Sequence, residues 1–381
     1  MKIGVVTFCN SNNNYGQILQ AFALQKFLRK KGHDAYLISY KSTIISFGNL
    51  IKDILKCILY FLFRLPKYEE IFLCYKNKQK DRKRDFKSFK NIYLQKSKIE
   101  YHSLMELKKN PPEADIYITG SDQVWNNTAC KQENAIWYLD FGKKNIIRAS
   151  YAASSGRKFT EEEVTYLKKY LNSFKFIGVR EKGLLNEIQS LGFDCCDIVL
   201  DPTLLLSQKD YLSLCKTNKT TISQKYIFIY ILNIQNSSEI YWNQINKYRK
   251  EQNLECKIVT SSGYYQAKEL IDQEKNIQAT IPEWIWYINN AEFIVTTSFH
   301  GVVFCIKFQK PFIAIPLKGK YSKGNERIFT LLEKLGLSSR IFSEDKSFAE
   351  QVEAPIDWAK VNRLLKDEIE KSEHILNYII S

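Results

Sequence analysis

Short apolar runs alternate along the chain with longer amphipathic stretches, a pattern that predicts strands followed by helices. The first run, at residues 3–8, precedes an asparagine-rich loop and a helical pattern over residues 17–31, which Gly32 ends. This order is typical of parallel sheets with crossover helices. Further strands are predicted at residues 35–40, 116–119, 147–152, 176–179, 198–200, 226–232, 257–260, 292–296 and 312–315.

The predicted strands fall into two groups joined by residues 207–223. We therefore expect an α/β fold with two Rossmann-like domains facing a cleft. Residues 1–210 form the predicted N-terminal domain, interrupted by an insertion at about residues 43–110, and residues 220–381 form the C-terminal domain with a C-terminal helix. A chain of 381 residues that is 45% hydrophobic can bury a core in each domain.

The insertion combines an amphipathic helix pattern with a basic segment. Apolar residues recur at helical spacing at Phe47, Leu50, Ile51, Ile54, Leu55, Ile58, Leu59 and Leu62. Residues 76–90 then carry eight basic side chains against two acidic ones. Charges interrupt the pattern too often for a membrane-spanning helix, but an apolar face followed by a basic cluster suits an anionic membrane surface. The pattern also fits a helix packed on the protein's own core beside a solvated basic helix. Nucleic acid is disfavoured, because the segment lacks glycines and interleaved aromatics.

Composition narrows the expected location and chemistry. Nine cysteines include no CxxC pair and no cysteine–histidine spacing for zinc, so we expect reduced thiols in a cytoplasmic protein. No metal site and no cofactor are predicted. The first apolar run is too short for a secretory signal, and the formal net charge of +15 is concentrated in the insertion's basic segment.

A histidine follows the strand predicted at residues 292–296, in the segment TTSFHG at residues 296–301. The carboxyl end of a parallel strand opens onto a ligand crevice, so His300 is well placed for acid–base chemistry. The other three histidines lie in ordinary turn and helix positions. The structural alternative for His300 is a core histidine bonded to a backbone carbonyl.

Polar side chains also follow four other predicted strands. The loop at residues 12–16 opens a helix whose free N–H groups favour an anion, and the loop at residues 120–126 combines an acid, amides and an aromatic that suit a sugar. Arg180 brings a guanidinium to the cleft for a phosphate or carboxylate. The structural alternatives are turn residues in both loops, a surface pair of Arg180 with Glu181, and a helix cap at Asp201.

Five stretches, taken in order, resemble the polysaccharide pyruvyl transferase family: NYGQILQAFALQKFL, ADIYITGSDQVWN, GVREKG, VLDPTLL and EFIVTTSFHGVVFCIKFQKPFIAIP. The resemblance extends to about Leu337 and omits the insertion. It implies a glycosyltransferase-B-type fold and an enzyme that transfers pyruvate from phosphoenolpyruvate to two hydroxyls of one sugar, forming a cyclic ketal. The implied product belongs to a cell-surface polysaccharide such as an exopolysaccharide, or to its lipid-linked precursor.

Residue roles follow from the resemblance. It implicates His300 in catalysis and Arg180 in holding the donor, phosphoenolpyruvate. The chain departs from better-known members, which carry an arginine where Ser298 stands and a glycine triplet at residues 120–122; Arg327 is expected to supply the missing charge. The remaining expected donor-binding residues are Ser298 and Gly301, and the expected acceptor-binding residues are Asn14, Tyr15, Gly16, Asp122 and Gln123.

Two other functions stay open on the sequence alone. One is a sugar-nucleotide-dependent glycosyltransferase of the same architecture, in which the cleft arginines hold a diphosphate and His300 acts as the base. The other is a non-catalytic, membrane-associated scaffold that works through the insertion. The expected partners are phosphoenolpyruvate and an oligosaccharide or lipid-linked sugar, with an anionic membrane surface at the inner face of the plasma membrane, and no nucleic acid.

Overall fold

A computed structural model describes residues 1–41, 47–65, 82–126, 132–216, 224–234, 237–261 and 277–381. Residues 76–81 of the basic segment and residues 217–223 of the predicted linker lie outside the described residues.

Ten described strands form two sheets, each parallel throughout, and all ten lie where they were predicted to within three residues at their ends. The first sheet has the order β2-β1-β3-β4-β5-β6 and contains β1 (Lys2–Val6), β2 (Asp34–Leu37), β3 (Ile116–Thr119), β4 (Ile147–Ala153), β5 (Phe174–Val179) and β6 (Cys196–Ile198). The second has the order β10-β9-β7-β8 and contains β7 (Tyr226–Ile231), β8 (Glu255–Thr260), β9 (Phe293–Thr296) and β10 (Phe312–Ala314).

The strands were recognisable because parallel sheets are covered on both faces and their strands therefore carry continuous apolar runs. Strand β7 has the sequence YIFIYI, and every one of its residues is buried. Both sheets place their first strand between the second and the third, with β1 between β2 and β3, and β7 between β8 and β9. Loops that follow the two flanking strands diverge at this position, which opens a crevice at the carboxyl ends.

The described helices are α1 (Tyr15–Lys30), α2 (Phe47–Phe63), α3 (Phe86–Tyr93), α4 (Leu104–Lys109), α5 (Glu161–Leu171), α6 (Lys182–Ser190), α7 (Gln208–Leu212), α8 (Trp242–Glu251), α9 (Ile281–Asn290), α10 (Phe299–Lys307), α11 (Glu326–Lys334), α12 (Phe348–Glu353) and α13 (Trp358–Ile380). Reciprocal capping boxes begin α5, α7, α9 and α12, and satisfy N–H groups that have no partner within the helix. No described helix has both the length and the apolar composition needed to cross a membrane.

Aromatic packing joins the two domains. The ring of Tyr15, at the start of α1, stacks on Trp284 of α9 with 5.2 Å between ring centroids. The Tyr15 hydroxyl donates a hydrogen bond of 2.6 Å to the carbonyl of Ala279. Tyr211 of α7 packs edge-on against Phe304 of α10 at 4.8 Å. These contacts place the start of α1 against the start of the second domain's helices.

The C-terminal helix packs on both domains, although the sequence assigned it to the second alone. At its middle, Glu368 of α13 pairs with Lys334 of α11 at 2.7 Å. Farther along, the hydroxyl of Ser372 accepts a 3.0 Å hydrogen bond from the N–H of Leu200, after the last strand of the first sheet. Tyr378 then packs on Phe176 of β5. The two domains are therefore tied together at the C-terminus as well as at the cleft.

The insertion forms the predicted helix, α2, and presents an apolar stripe outward. Exposed apolar side chains, between 46% and 63% accessible, lie on one face at Ile54, Leu55, Ile58, Phe61 and Leu62. Tyr60, about half a turn away from the centre of that face, is buried. The packing alternative therefore does not account for the stripe.

Two basic residues of the segment that follows α2 are held by the protein itself. Arg84 is buried and donates a 2.9 Å hydrogen bond to Gln278 and one of 3.2 Å to the hydroxyl of Tyr15. The ammonium group of Lys90 donates to the carbonyls of Asn10 and Ser11 at 3.2 and 3.0 Å. Arg82, Lys83 and Lys87 are exposed. The predicted basic cluster is therefore divided between structural and solvated side chains.

Candidate active site

His300 is the second residue of α10 and lies at the crevice of the second sheet. Strand β9 ends at Thr296, and Ser298 caps the helix by accepting a 3.4 Å hydrogen bond from the N–H of Gly301. Gly301 is needed for this close packing, because a Cβ there would overlap the hydroxyl of Thr296. Ser298 and Gly301, predicted to bind donor, thus shape the turn that presents His300. Among the described residues His300 has no hydrogen bond to a backbone carbonyl, so the core-histidine alternative is not what the structure shows.

The imidazole of His300 rests on Gly16, in the first turn of α1. A Cβ at position 16 would overlap the ring at Nδ1, so only glycine allows this approach. The preceding backbone is also fixed by the second domain, since the hydroxyl of Ser261 donates to the carbonyl of Asn13. The imidazole therefore lies between α1 of the first domain and its own helix, α10, of the second domain.

A fully buried carboxylate, Asp201, lies beside the histidine. One of its oxygens, Oδ2, accepts hydrogen bonds from Ser121 Oγ at 2.7 Å and from Arg180 Nη1 at 2.8 Å, and lies 3.5 Å from His300 Nε2. The other oxygen, Oδ1, accepts the N–H of Thr203 at 3.0 Å and its hydroxyl at 2.5 Å. The helix cap predicted for Asp201 is confirmed, but the same side chain also reaches the site.

The charge state of Asp201 follows from these neighbours. Burial favours the neutral acid, yet the adjacent imidazole of His300 and the guanidinium of Arg180 outweigh burial and hold the pKa of Asp201 well below its usual range. The carboxylate is therefore ionised throughout the physiological range of pH, and it supplies a fixed negative charge beside His300.

Arg180 is buried in the site, so the structural alternative of a surface pair with Glu181 is wrong. Glu181 instead accepts hydrogen bonds from Ser154 Oγ at 2.7 Å and from the N–H of Ser155 at 3.2 Å. Arg180 uses Nη1 for Asp201, while its Nε and Nη2 are buried with no hydrogen-bond partner among the described residues. Buried donors are nearly always satisfied, so these two nitrogens point to a ligand.

Arg327 approaches the same place from α11. The guanidinium carbons of Arg180 and Arg327 lie 4.6 and 5.7 Å from the centroid of the same ring, that of Phe299. Burial, together with the positive charge of Arg180, lowers the pKa of Arg327 to about 10, so it remains protonated at neutral pH. Two cations and the N-terminus of α10 thus converge beside His300, as the binding of an anion requires.

The residues predicted to bind acceptor lie at the first domain's strand ends, with one correction. Asn14 caps α1, accepting a 3.1 Å hydrogen bond from the N–H of Gln17. Asp122 has a φ of 84° and a carboxylate that accepts the N–H of Gln123 at 2.8 Å; both side chains are half-buried. Tyr15 is fully buried in the interdomain core with its hydroxyl occupied, so its predicted contact with acceptor is wrong.

Three residues of the site had no functional role predicted from the sequence. Ser121, Asp201 and Phe299 each follow a strand end, and that position was the only signal available. Among the described residues no cluster of histidine, cysteine, aspartate and glutamate side chains is arranged to hold a metal ion.

The profile of the family described as Polysaccharide pyruvyl transferase matches residues 14–319, which include every strand-end residue of the site. The chain belongs to this family. The resemblance inferred from the motifs is therefore confirmed. Comparison with curated proteins gives no significant match.

Solved structures of other sugar-processing enzymes share the fold. The UDP-N-acetylglucosamine 2-epimerase of Rickettsia bellii is 12% identical, with 100% of this chain and 97% of that chain covered and a TM-score of 0.54. The UDP-GlcNAc 2-epimerase of Methanocaldococcus jannaschii is 14% identical, with 99% and 100% covered and a TM-score of 0.51. The predicted glycosyltransferase-B-type fold of two Rossmann-like domains is confirmed. The family indicates a transferase that acts on sugars.

Proposed function

We propose that this family member transfers pyruvate from phosphoenolpyruvate to two hydroxyls of one sugar, forming a cyclic ketal. The observation that carries the proposal is the pair of buried, unpartnered Arg180 nitrogens beside His300. Phosphoenolpyruvate bears a carboxylate and a phosphate, and a guanidinium with two parallel free N–H directions suits a planar carboxylate or a phosphate. Arg327 supplies the second cation, and the free N–H groups at the start of α10 add to the anion-binding site.

The reaction requires an acid–base group and a cationic cradle. A proton is added to the methylene carbon of phosphoenolpyruvate, the resulting cationic carbon is attacked by one sugar hydroxyl, and that hydroxyl loses its proton. Phosphate then leaves with its bonding electron pair, and the second hydroxyl closes the ring while losing its own proton. His300 can deliver the first proton and accept one from a hydroxyl, because imidazole exchanges protons near neutral pH. Arg180 and Arg327 offset the charge of the departing phosphate.

The acceptor is proposed to bind at the first domain's strand ends. Asp122 and Gln123 are half-buried and offer a carboxylate and an amide to sugar hydroxyls. The backbone of Gly16 lies beside His300, and Asn14 caps the helix that contains Gly16. The expected acceptor is an oligosaccharide or lipid-linked sugar of a cell-surface polysaccharide.

A donor screen tests this function. The purified protein is incubated with phosphoenolpyruvate or with nucleotide sugars, and with undecaprenyl-linked or free oligosaccharides, and products are identified by mass spectrometry. Phosphate release from phosphoenolpyruvate with the mass of an added ketal is the expected result, and a chelator should leave the rate unchanged. Release of a nucleoside diphosphate would instead establish a glycosyltransferase, and a complete lack of turnover would favour a non-catalytic scaffold.

We also propose that the enzyme works in the cytoplasm at an anionic membrane surface, where a lipid-linked acceptor is available. The support is the exposed apolar stripe of α2, with Arg64 immediately after the helix and its guanidinium 5.9 Å from the Phe61 ring. An arginine beside aromatic and aliphatic side chains suits the boundary between acyl chains and anionic headgroups. The chain's net charge of +15 adds a long-range attraction to anionic lipid.

Co-sedimentation with vesicles tests the membrane proposal. Binding should be stronger to vesicles that contain anionic lipid than to neutral vesicles, and it should weaken as salt is raised. Equal binding to both kinds of vesicle would remove the electrostatic part, and no binding to either would leave the stripe to another partner.

A further inference from the structure

Asp201 has a geometry that a helix cap alone does not require. A cap needs one oxygen, and Oδ1 fulfils that role through the N–H and hydroxyl of Thr203. Because Oδ1 is held, the carboxylate cannot rotate, and Oδ2 keeps one direction. That direction leads to Ser121, Arg180 and His300, which come from the ends of β3 and β5 and from the start of α10.

The two nitrogens of His300 face different surroundings. Nε2 is buried, has no hydrogen bond, and lies 3.5 Å from Asp201 Oδ2, slightly beyond hydrogen-bond length. Nδ1 lies on the side of Gly16 and the start of α1. A fixed carboxylate stabilises an N–H that points at it, and the hydrogen bond of one ring nitrogen determines which proton the other can exchange.

We propose that Asp201 is a positioning residue, which keeps the proton of His300 on Nε2 and thereby leaves Nδ1 to exchange the proton with substrate. Only the claim that Nδ1 exchanges a proton with substrate rests on the proposed function. Oδ2 also holds Arg180, so a single buried oxygen sets the orientation of both the donor-binding guanidinium and the acid–base imidazole. Asp201 Oδ2 lies 3.5 Å from His300 Nε2, and the guanidinium groups of Arg180 and Arg327 both lie against the ring of the neighbouring Phe299.

Asp201→Asn is the primary test, because the amide has the size of the carboxylate but only one acceptor oxygen and no charge. Donors converge on both oxygens of Asp201, so the single oxygen of asparagine cannot serve Thr203 and the site together. We expect turnover to fall by roughly 10²–10⁴-fold, as when a buried carboxylate that orients a catalytic histidine is neutralised in other enzymes.

The decisive readout is independent of turnover. Nitrogen-15 spectra of labelled histidine, with the His300 signals assigned by their loss in His300→Asn, report which ring nitrogen carries the proton as the ring becomes neutral. The wild type should show the Nε2–H form, and Asp201→Asn should show a mixture or the Nδ1–H form. A wild-type Nδ1–H form, or an unchanged spectrum in Asp201→Asn, would overturn the proposal.

Two variants separate positioning from folding. Thr203→Val removes the hydroxyl that bonds Oδ1 but keeps the Thr203 N–H, which still fixes the orientation of the carboxylate. The tautomer should therefore be unchanged, and turnover per folded molecule should stay within about twofold of wild type. Ser121→Ala keeps both charges of the site and removes one bond to Oδ2, so it should fold even if Asp201→Asn does not, and should lower turnover by roughly 3–30-fold. Equal losses in Thr203→Val and Ser121→Ala would indicate that Asp201 acts only as a cap.

The same measurements distinguish this proposal from the proposed function. If the spectra behave as expected while phosphoenolpyruvate is never consumed, the positioning role stands and pyruvyl transfer is excluded. If phosphoenolpyruvate is consumed but the tautomer does not depend on Asp201, the function stands and the positioning role is overturned.

Discussion

The interdomain site and helix α2 both reverse the usual distribution of residues, in opposite directions. The site buries charged side chains, with Asp201 1% and Arg180 4% exposed, whereas α2 exposes apolar ones, with Phe61 63% and Leu62 62% exposed. Either arrangement is costly without a compensating partner. The protein's own side chains compensate most of the buried charge in the site, whereas the described residues leave the apolar side chains of α2 exposed to a partner outside the chain.

In the site most of the compensation is internal. The carboxylate of Asp201 has four hydrogen bonds and an adjacent imidazole. Among the described residues of the site, Arg180 Nε and Nη2, His300 Nε2 and Glu181 Oε2 are buried without a hydrogen-bond partner. On α2 the buried Tyr60 attaches the helix, and the side chains of the opposite stripe are exposed in the part of the chain that the structure describes. Unsatisfied polarity supports the proposed anionic donor at the cleft, whereas exposed apolar area supports the proposed membrane surface at α2.

The largest effect is expected for His300→Asn, which tests whether the buried charges serve chemistry or stability. Asparagine keeps much of the size and one hydrogen-bonding group, so turnover should fall by roughly 10²–10⁴-fold while the melting temperature changes little. Kinetics and thermal unfolding are measured on one preparation, with His102→Asn, at a half-buried histidine of the insertion, as the control. A lower melting temperature with near-normal turnover per folded molecule would make His300 a structural residue.

The next largest effect is expected for Arg180→Lys and Arg327→Lys. Lysine keeps the positive charge at each position, and at position 180 that charge still faces Asp201. Lysine lacks the planar set of N–H groups, so each change should raise the KM for phosphoenolpyruvate by about tenfold or more. Arg249→Lys, on α8, is the matched control and should leave KM unchanged. If neither site variant alters KM, the arginines do not contact the donor.

A smaller effect is expected for Ile58→Glu in the centre of the α2 stripe. Burial of an isoleucine side chain contributes about 1.5–3 kcal/mol, so its replacement by a charge should weaken binding to anionic vesicles by roughly tenfold or more. Turnover with a free oligosaccharide should not change. Met105→Glu, at an exposed apolar position on α4, should bind vesicles as the wild type does. Equal losses in both variants would show that the effect is one of net charge and not of the stripe.

The smallest effect is expected for Asp210→Asn, at a more accessible aspartate than Asp201. Burial alone would raise its pKa, but hydrogen bonds from Ser207 and Lys30 lower it to about 2, below the usual value of 3.8. The pKa is lower in the folded state, so the carboxylate stabilises the fold above about pH 4, and this contribution is lost as the pH falls towards 2. Asp210→Asn should reduce the free energy of unfolding by roughly 0.5–1 kcal/mol at pH 7, since solvent screens the Lys30 pair.

Urea unfolding at several pH values measures this contribution. The difference between Asp210→Asn and wild type should shrink as the pH is lowered from 7 to 2. The exposed Asp194, changed to Asn, provides the control, for which we expect a negligible difference at every pH. A difference that grows on acidification would contradict the sign of the pKa shift.

The fold was largely predictable because its strongest signals are local. Parallel strands buried on both faces leave continuous apolar runs, and all ten described strands coincide with such runs. The carboxyl ends of parallel strands lie on one side of a sheet, so the positions of Arg180, His300 and Asp122 could be inferred before any contact was known. The motifs around these strand ends also identified the family, as the matched residues 14–319 confirm.

The sequence by itself thus determined the elements, the order of the strands along the chain and the side of each sheet that carries polar groups, because these depend on neighbouring residues. Tertiary structure alone decided which polar groups meet. Asp201 joins Arg180 across 21 residues and Ser121 across 80, and no local pattern records such pairings. The same holds for Tyr15, which reads as a loop residue but packs on Trp284, and for α2, whose apolar stripe faces outward. Burial depends on what the rest of the chain brings against a side chain, and only the folded molecule contains that information.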